Sequence, residues 1–251
     1  MSSERQEEIR FLLQEHGNLT VAELAKHFRV SEMTIRRDLK NLAALGFIQR
    51  EHGRAVLPPA TPNQGALFLT RLGEAEREKT LIGRAAAELV ANGESIILDA
   101  GTTTLAIARA LNQECVIITN SLPIAGTLGN RANMTVFITG GEVRGETYAL
   151  VGPMARSALS GFNADKLFLG ATGVSLERGL STASMLESEV KQAMISAARE
   201  VILVAHSAKV GQTFYHTFAQ WQQIHKLITD AKLPQKVSEH LKNKGIEVIL
   251  V

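Results

Sequence analysis

With 251 residues, 45% of them hydrophobic, the chain holds enough apolar material for a sizeable core in one large domain or two of ordinary size. Lys and Arg (27) against Asp and Glu (25) leave a net charge of only +2, which excludes a nucleic-acid or membrane argument from the total, so any basic surface must be local. The one cysteine, Cys115 in the apolar run CVIITN, excludes an internal disulfide framework and is expected as a buried thiol. A charged N-terminus, MSSERQEEIR, and the lack of any run of about 18 apolar residues predict a soluble, cytoplasmic protein without a membrane partner.

The first predicted element is a helix in RQEEIRFLLQEHG, where Ile9, Leu12 and Leu13 keep helical spacing and Gly17 offers a stop. A second helix, TVAELAKHF, opens on Thr20 with Glu23 three residues later, a capping box, and Leu24 and Phe28 share a face. After a tight turn around FRV a third helix, SEMTIRRDLKNLAALG, has Ser31 as N-cap and Gly46 near its end. Ile35, Leu39, Leu42 and Leu45 make its apolar stripe, and Arg36, Arg37 and Lys40 lie off it. The next stretch, FIQREHGRAV, reads as a hairpin carrying Arg50, His52 and Arg54.

Two short helices, a tight turn, small polar residues opening the second helix and a basic hairpin after it make a winged helix-turn-helix. From Arg36 to Arg54 five cations face two acids, +3, whereas from Met1 to Thr34 four cations face six acids, −2. The positive field therefore belongs to one edge, and a merely solvated arginine face does not explain why spacing, turn, cap and wing agree. Ser31, Met33 and Thr34 are the expected contacts at the mouth of the major groove, with Arg36, Arg37, Lys40, Arg50, His52 and Arg54 reaching bases or gripping phosphates.

LPPATPNQGA holds three of the six prolines and reads as a linker. The organisation expected is a DNA-binding domain at 1–57, a linker at 58–74 and a second domain at 75–251. In the latter, helices alternate with the apolar runs SIILD, CVIIT, TVFIT, KLFLG, VILVA and EVILV, a pattern of strands buried on both faces in a mainly parallel α/β sheet. Between the first of these strands and a helix stands DAGTTT. Asp99, Gly101, Thr102, Thr103 and Thr104 there put hydroxyls and free N–H groups at a helix N-terminus, an anion site at the sheet edge where open α/β sheets bind ligands. No metal-type spacing, nucleophile elbow, Walker loop or dinucleotide fingerprint occurs, so neither metal nor cofactor is expected.

The segment VSEMTIRRDLKNLAALGFIQREHGRAV resembles the N-terminal signature of the DeoR-type sugar-operon repressors, and EREKTLIGRAAAELVANGESIILDAGTTT resembles the opening of their sensor domain. ITNSLPIA, TGGEVR, VGPMA, ADKLFLGATGV, ESEVKQAMI, AKVG and LITDA follow in the same order, so the resemblance covers nearly the whole chain. It implies a sensor fold similar to ribose-5-phosphate isomerase and CoA-transferase domains. It also implies a repressor that is released from operator DNA by a phosphorylated sugar or sugar derivative. The alternative is a sugar-phosphate isomerase or hydrolase with an accessory nucleic-acid domain, but an isomerase has no use for a basic wing, so no enzyme is expected. One recognition helix reads too few bases to be selective, so symmetry calls for a homodimer or homotetramer.

Carried over by position, the resemblance adds Asn120, Ser121, Gly140, Gly141, Gly170, Gly173, Glu187, Lys191 and Lys209 to the effector site. For the glycines of TGG and GATG, simple turns serve as well as ligand contact. Glu187 and Lys191 also fit an exposed i, i+4 helix pair. The chain departs from the family pattern at HSAK, where His206 replaces an acid and Ala208 a hydroxyl, and in the wing, where Arg54 stands at a frequent glycine. His206, able to donate or to carry charge, fits a satisfied core histidine as well, but its place between an apolar strand and Lys209 favours the ligand, which would then be unlike the family's common effectors.

Overall fold

The computed structural model describes residues 5, 8–9, 12–13, 18–44, 49–51, 54–56 and 68–251. The chain divides into two compact units, Met1–Pro62 and Asn63–Val251. In the first, Arg5, Glu8, Ile9, Leu12 and Leu13 are helical, and Ile9 and Leu13 are fully buried. Strand β1 (Asn18–Thr20) hands over to α1 (Val21–Phe28) through the expected capping box: Thr20 Oγ1 accepts from Glu23 N–H at 3.2 Å, and Glu23 Oε2 accepts from Thr20 N–H at 2.7 Å. The turn after α1 has Arg29 in the left-handed region, φ 53°, with Val30 N–H donating back to Ala25 O at 3.1 Å.

Helix α2 (Glu32–Ala44) buries Ile35, Leu39 and Leu42, the expected stripe. Asp38, one of the two acids in the local charge count, is buried and accepts from Arg5 Nε at 2.7 Å, tying the helical residue Arg5 to α2. Strands β2 (Gln49–Glu51) and β3 (Arg54–Val56) pair antiparallel with Glu51 opposite Arg54, so a hairpin stands where the wing was expected. β1 adds to the other side of β3, a strand unforeseen because residues 18–20 read only as a lead-in to a helix. His52, Gly17, Leu45, Gly46 and linker residues 58–67 lie outside the described residues.

In the second unit α3 (Phe68–Gly73) and α4 (Glu76–Glu88) precede β4 (Ser95–Leu98), α5 (Thr102–Ala110), β5 (Cys115–Thr119), α6 (Leu122–Leu128) and β6 (Met134–Ile138). Then come β7 (Glu142–Arg144), β8 (Ala149–Val151), α7 (Pro153–Leu159), β9 (Ala164–Leu169), β10 (Gly173–Ser175) and β11 (Gly179–Thr182). The remainder is α8 (Met185–Ser196), β12 (Ala198–Val204), β13 (His216–Ala219), β14 (Lys226–Thr229), α9 (Gln235–Asn243) and β15 (Glu247–Leu250). Seven strands form one parallel sheet in the order β15-β14-β12-β9-β4-β5-β6. All six apolar runs expected as strands are in it, and the seventh, β14, comes from the short segment KLIT.

Alternate residues of the sheet feed two cores. Ile97, Leu167, Leu169 and Leu203 face one layer, and Ile96, Leu98, Phe168, Ile202 and Val204 the other, which is why these strands read as continuous apolar runs. Cys115 is buried in the second core, and burial pushes its thiol up. Helix α4 can lie against α5 because residue 83 is glycine: a Cβ there would stand 2.7 Å from the backbone of Ala106. Trp221, without a legible role in the sequence, is a packing residue whose Nε1–H donates to Ser175 O at 2.8 Å.

Sheet order reverses between β4 and β9, neighbours whose following connections leave in opposite directions along the sheet. Their carboxyl ends therefore open the crevice in which open α/β sheets bind ligands. Residues 68–73, placed in the linker from sequence, form α3 instead; Phe68 is buried in the second core, so the order of this unit begins before residue 75.

Candidate functional site

The crevice is built around Asp99, the residue after β4. Its carboxylate is buried and accepts from Gly170 N–H, after β9, at 2.9 Å, and Lys191 Nζ from α8 closes on the same oxygen. Lys191 Nζ also donates to Gly170 O at 3.1 Å and lies 5.3 Å from the centroid of the Phe218 ring. Burial pushes the Asp99 carboxyl upward and Lys191 pulls it back, the balance expected of an enclosed ion pair. Asp99 thus supports the crevice floor, fixing the strand ends on either side of the switch point.

Above that floor α5 begins. Gly101 O accepts from Leu105 N–H at 3.0 Å and from Thr104 Oγ1 at 2.9 Å, so the third threonine bonds back to its own helix. Thr102 and Thr103 have no side-chain partner among the described residues, and both line the pocket beside the free N–H groups of the first turn. Asn120 shapes this turn from behind: Oδ1 accepts from Ala100 N–H at 2.9 Å, and Nδ2 donates to Leu150 O at 3.2 Å.

The opposite wall is acidic and hydroxylated. Glu187 accepts from Thr147 Oγ1 and Thr182 Oγ1, both at 2.9 Å, and stands 3.4 Å from Arg144 Nε. The exposed helix-pair reading of Glu187 and Lys191 is therefore overturned: both side chains turn inward and each takes a different partner. The reason is that their face of α8 packs over the strand ends, where Asp99 needs a cation.

Arg71 and Lys209 line the same pocket. Lys209 donates to Ala171 O, and burial, helped by Arg71, Lys79 and Lys191, pulls its ammonium down to about 7. Burial likewise lowers Arg71, part of which Glu187 offsets. With Lys191 matched to Asp99 and Glu187 matched to Arg144, two cations face the α5 N-terminus without a carboxylate partner among the described residues.

Several expected ligand residues lie outside this pocket. Ser121 is the N-cap of α6, accepting from Ile124 N–H at 3.4 Å. Gly140 and Gly141 form the turn after β6; Gly141 has φ 114°, and a Cβ there would stand 2.5 Å from Val151 O, so packing requires this glycine. Gly173 is closely packed against Gln212 and Ser181. His206 follows β12 as the N-cap of the short turn Ser207–Lys209 and is not among the residues lining the pocket; burial together with Lys209 and Lys79 lowers it to about 4, so its imidazole is neutral at pH 7. Conversely, Arg71, Thr147 and Thr172 line the pocket unforeseen.

In the first unit the exposed side of α2 carries Met33, Arg36, Arg37 and Lys40, spaced i, i+3, i+4, i+7 and opposite its buried stripe. Ser31 Oγ lies 2.9 Å from Thr34 Oγ1 and accepts from Thr34 N–H at 3.2 Å, the expected N-cap. Arg36 pairs with Glu32 at 3.1 Å, whereas Arg37 and Lys40 have no ion pair among the described residues. Arg50 and Arg54 fall on β2 and β3.

Residues 5–61 match the DeoR-like helix-turn-helix domain, and residues 74–231 match the DeoR C-terminal sensor domain. The chain belongs to the DeoR family. HTH-type transcriptional regulator GlpR of Haloferax volcanii is 35% identical over 251 residues, covering 99% of this chain and 98% of its own. HTH-type transcriptional repressor GlcR of Bacillus subtilis is 34% identical over 239 residues, 95% of this chain and 92% of its own. Ribose-5-phosphate isomerase A of Methanocaldococcus jannaschii aligns with 54% of each chain at 17% identity and a TM-score of 0.40. As a DeoR-family member the chain is a DNA-binding transcriptional regulator: α2 falls in the helix-turn-helix range, and the crevice of Asp99 falls in the sensor range. Arg71 lies between the two matched ranges.

Proposed function

We propose that this regulator represses a carbohydrate-utilisation operon and that a phosphorylated sugar, or a derivative of one, occupies the crevice and governs its hold on operator DNA. The observation that carries this is the pairing of the α5 N-terminus, with its free N–H groups and the Thr102 and Thr103 hydroxyls, against Lys209. A phosphate suits the chemistry of that end, and the Glu187 carboxylate with the Thr147 hydroxyl oxygen offers acceptors to sugar hydroxyls. GlcR, the relative from Bacillus subtilis, is named a repressor, which supports the sign. Selective reading of an operator by one short helix calls for a second copy, so the reading includes a homodimer or homotetramer, and work on operator DNA puts it in the cytoplasm.

An isomerase acting on the same ligands is the competing use of such a crevice. Both carboxylates that could serve as its base are engaged, Asp99 by Lys191 and Glu187 by two threonines and Arg144, which favours a receptor. Thermal denaturation of the full chain against a panel of pentose and hexose phosphates, with the unphosphorylated sugars as controls, tests the reading. A ligand at a hundred times its Kd raises the Tm by roughly 5–10 °C. Equal shifts from sugar and sugar phosphate, or turnover of any panel member at an enzymic rate, would remove the phosphate-receptor assignment.

The lowered Lys209 gives this binding a pH signature. An anion placed against Nζ favours the ammonium, so the ligand takes up a proton where the free amine is mostly neutral, above about 7. Affinity therefore falls as pH rises from 7 towards 9, by up to about tenfold per pH unit. It also falls below about pH 6 as the phosphate takes its own proton. Calorimetry at pH 8 in buffers of different ionisation heat reads the proton directly, and Lys209→Arg, always charged, should flatten the alkaline limb.

A further inference from the structure

We infer that Arg71 is a direct ligand of the effector's anionic group and that occupancy of the crevice therefore fixes α3, the helix that carries it. This rests on the effector-site reading above and adds to it a residue from outside both matched family ranges. Arg71 Nε is buried and has no hydrogen-bond partner, although its side chain lines the pocket beside Lys209 and Thr103. A buried guanidinium nitrogen left unpaired is costly, and an anion in the pocket supplies the missing acceptor. The planar fork of an arginine suits phosphate or carboxylate oxygens better than a neutral sugar.

The seat of α3 is built from the ligand's own surroundings. Phe68 N–H donates to Glu146 O at 2.7 Å, and its ring meets Tyr148 edge-on with centroids 5.7 Å apart. Glu146, Thr147 and Tyr148 form the connection between β7 and β8. Its Thr147 holds Glu187, while Arg144 at its base bridges Glu146 and Glu187. At the other end of α3, Lys79 Nζ donates to the carbonyls of Arg71 and Glu74. A ligand that engages Arg71 at its anionic end and Glu187 at its hydroxyl end therefore pulls on both sides of one six-residue helix. That helix is the first described element of the second unit. Occupancy changes how firmly α3 is held.

Inorganic phosphate is a sufficient probe, since it carries the shared anionic chemistry, and the full chain is used throughout. Amide hydrogen exchange of 68–73 should slow when phosphate is added to the wild-type protein. Arg71→Leu should bind phosphate at least about tenfold more weakly, the loss of a charge-assisted pair, and show no added protection of α3 even at saturating phosphate. Arg71→Lys should recover part of the affinity, and Arg77→Leu, on the exposed side of α4, should behave as wild type. Unaltered affinity in Arg71→Leu overturns the inference, and so does wild-type protection confined to the first turn of α5; in both cases the effector site itself stands. Failure of phosphate and of every sugar phosphate to protect either helix overturns the effector site along with it. The wild-type exchange result is decisive even should Arg71→Leu fold poorly.

Discussion

Lys191→Met should cost the fold about 3–5 kcal/mol at neutral pH, because it leaves the Asp99 carboxylate buried without its cation. The remaining support, one N–H from Gly170, does not offset the desolvation of a full charge. The sign of the pH dependence follows. Asp99 is already pushed upward by burial; without Lys191 it rises further, so the folded variant binds a proton more tightly than the unfolded chain does. The variant therefore recovers stability as pH falls through that raised value and loses it as pH rises. Asp99→Asn combined with Lys191→Met removes both charges and should be more stable than Lys191→Met alone and nearly flat with pH in this range. Urea denaturation of the two variants and the wild type between pH 5 and 8 reads these differences. Equal destabilisation of single and double variants would show that Lys191 acts by packing rather than by charge.

What the sequence disclosed was the part of the molecule governed by local rules. Capping residues Thr20 and Glu23, the stripe of Ile35, Leu39 and Leu42, and the apolar runs of the sheet each declare themselves over a few neighbours, and each is present. The α5 N-terminus was legible for the same reason, since a strand, a glycine and three threonines sit side by side. Arg71 was not: it lies beyond a proline-rich stretch, in a helix of six residues, and is brought to the crevice by Phe68 and Lys79, contacts that no periodicity reports. The partner choices of Glu187 and Lys191 were hidden likewise. Their i, i+4 spacing indicates a mutual pair, and only the arrival of Asp99 from 92 residues away redirects the lysine. Gly141 and Gly173 show the other side of the matter, for a glycine beside a strand end marks close packing as readily as a ligand.

Arg37→Ala should weaken operator binding by about 1–3 kcal/mol for each recognition helix engaged, about fivefold to more than a hundredfold, while leaving sugar-phosphate binding unchanged. The choice of Arg37 over its neighbour comes from the surface of α2. Arg36 is held by Glu32 at 3.1 Å, an exposed pair that must open before the guanidinium can reach DNA. Arg37 carries no such tether among the described residues and stands one turn along from Met33 and Thr34 at the start of the helix, the end that approaches base edges in helix-turn-helix proteins. Lys40 stands one turn further along the same exposed side. Its replacement by alanine should lower affinity uniformly across sequences and reduce the slope of log K against log salt by about one. Fluorescence anisotropy over a salt series, with operator fragments selected from genomic DNA and an unrelated duplex as control, separates the two roles. Arg37→Ala should lose discrimination between the duplexes, and Lys40→Ala should keep it. A variant Arg37→Ala that still discriminates as wild type would remove α2 as the reading element and transfer that task to the hairpin of β2 and β3.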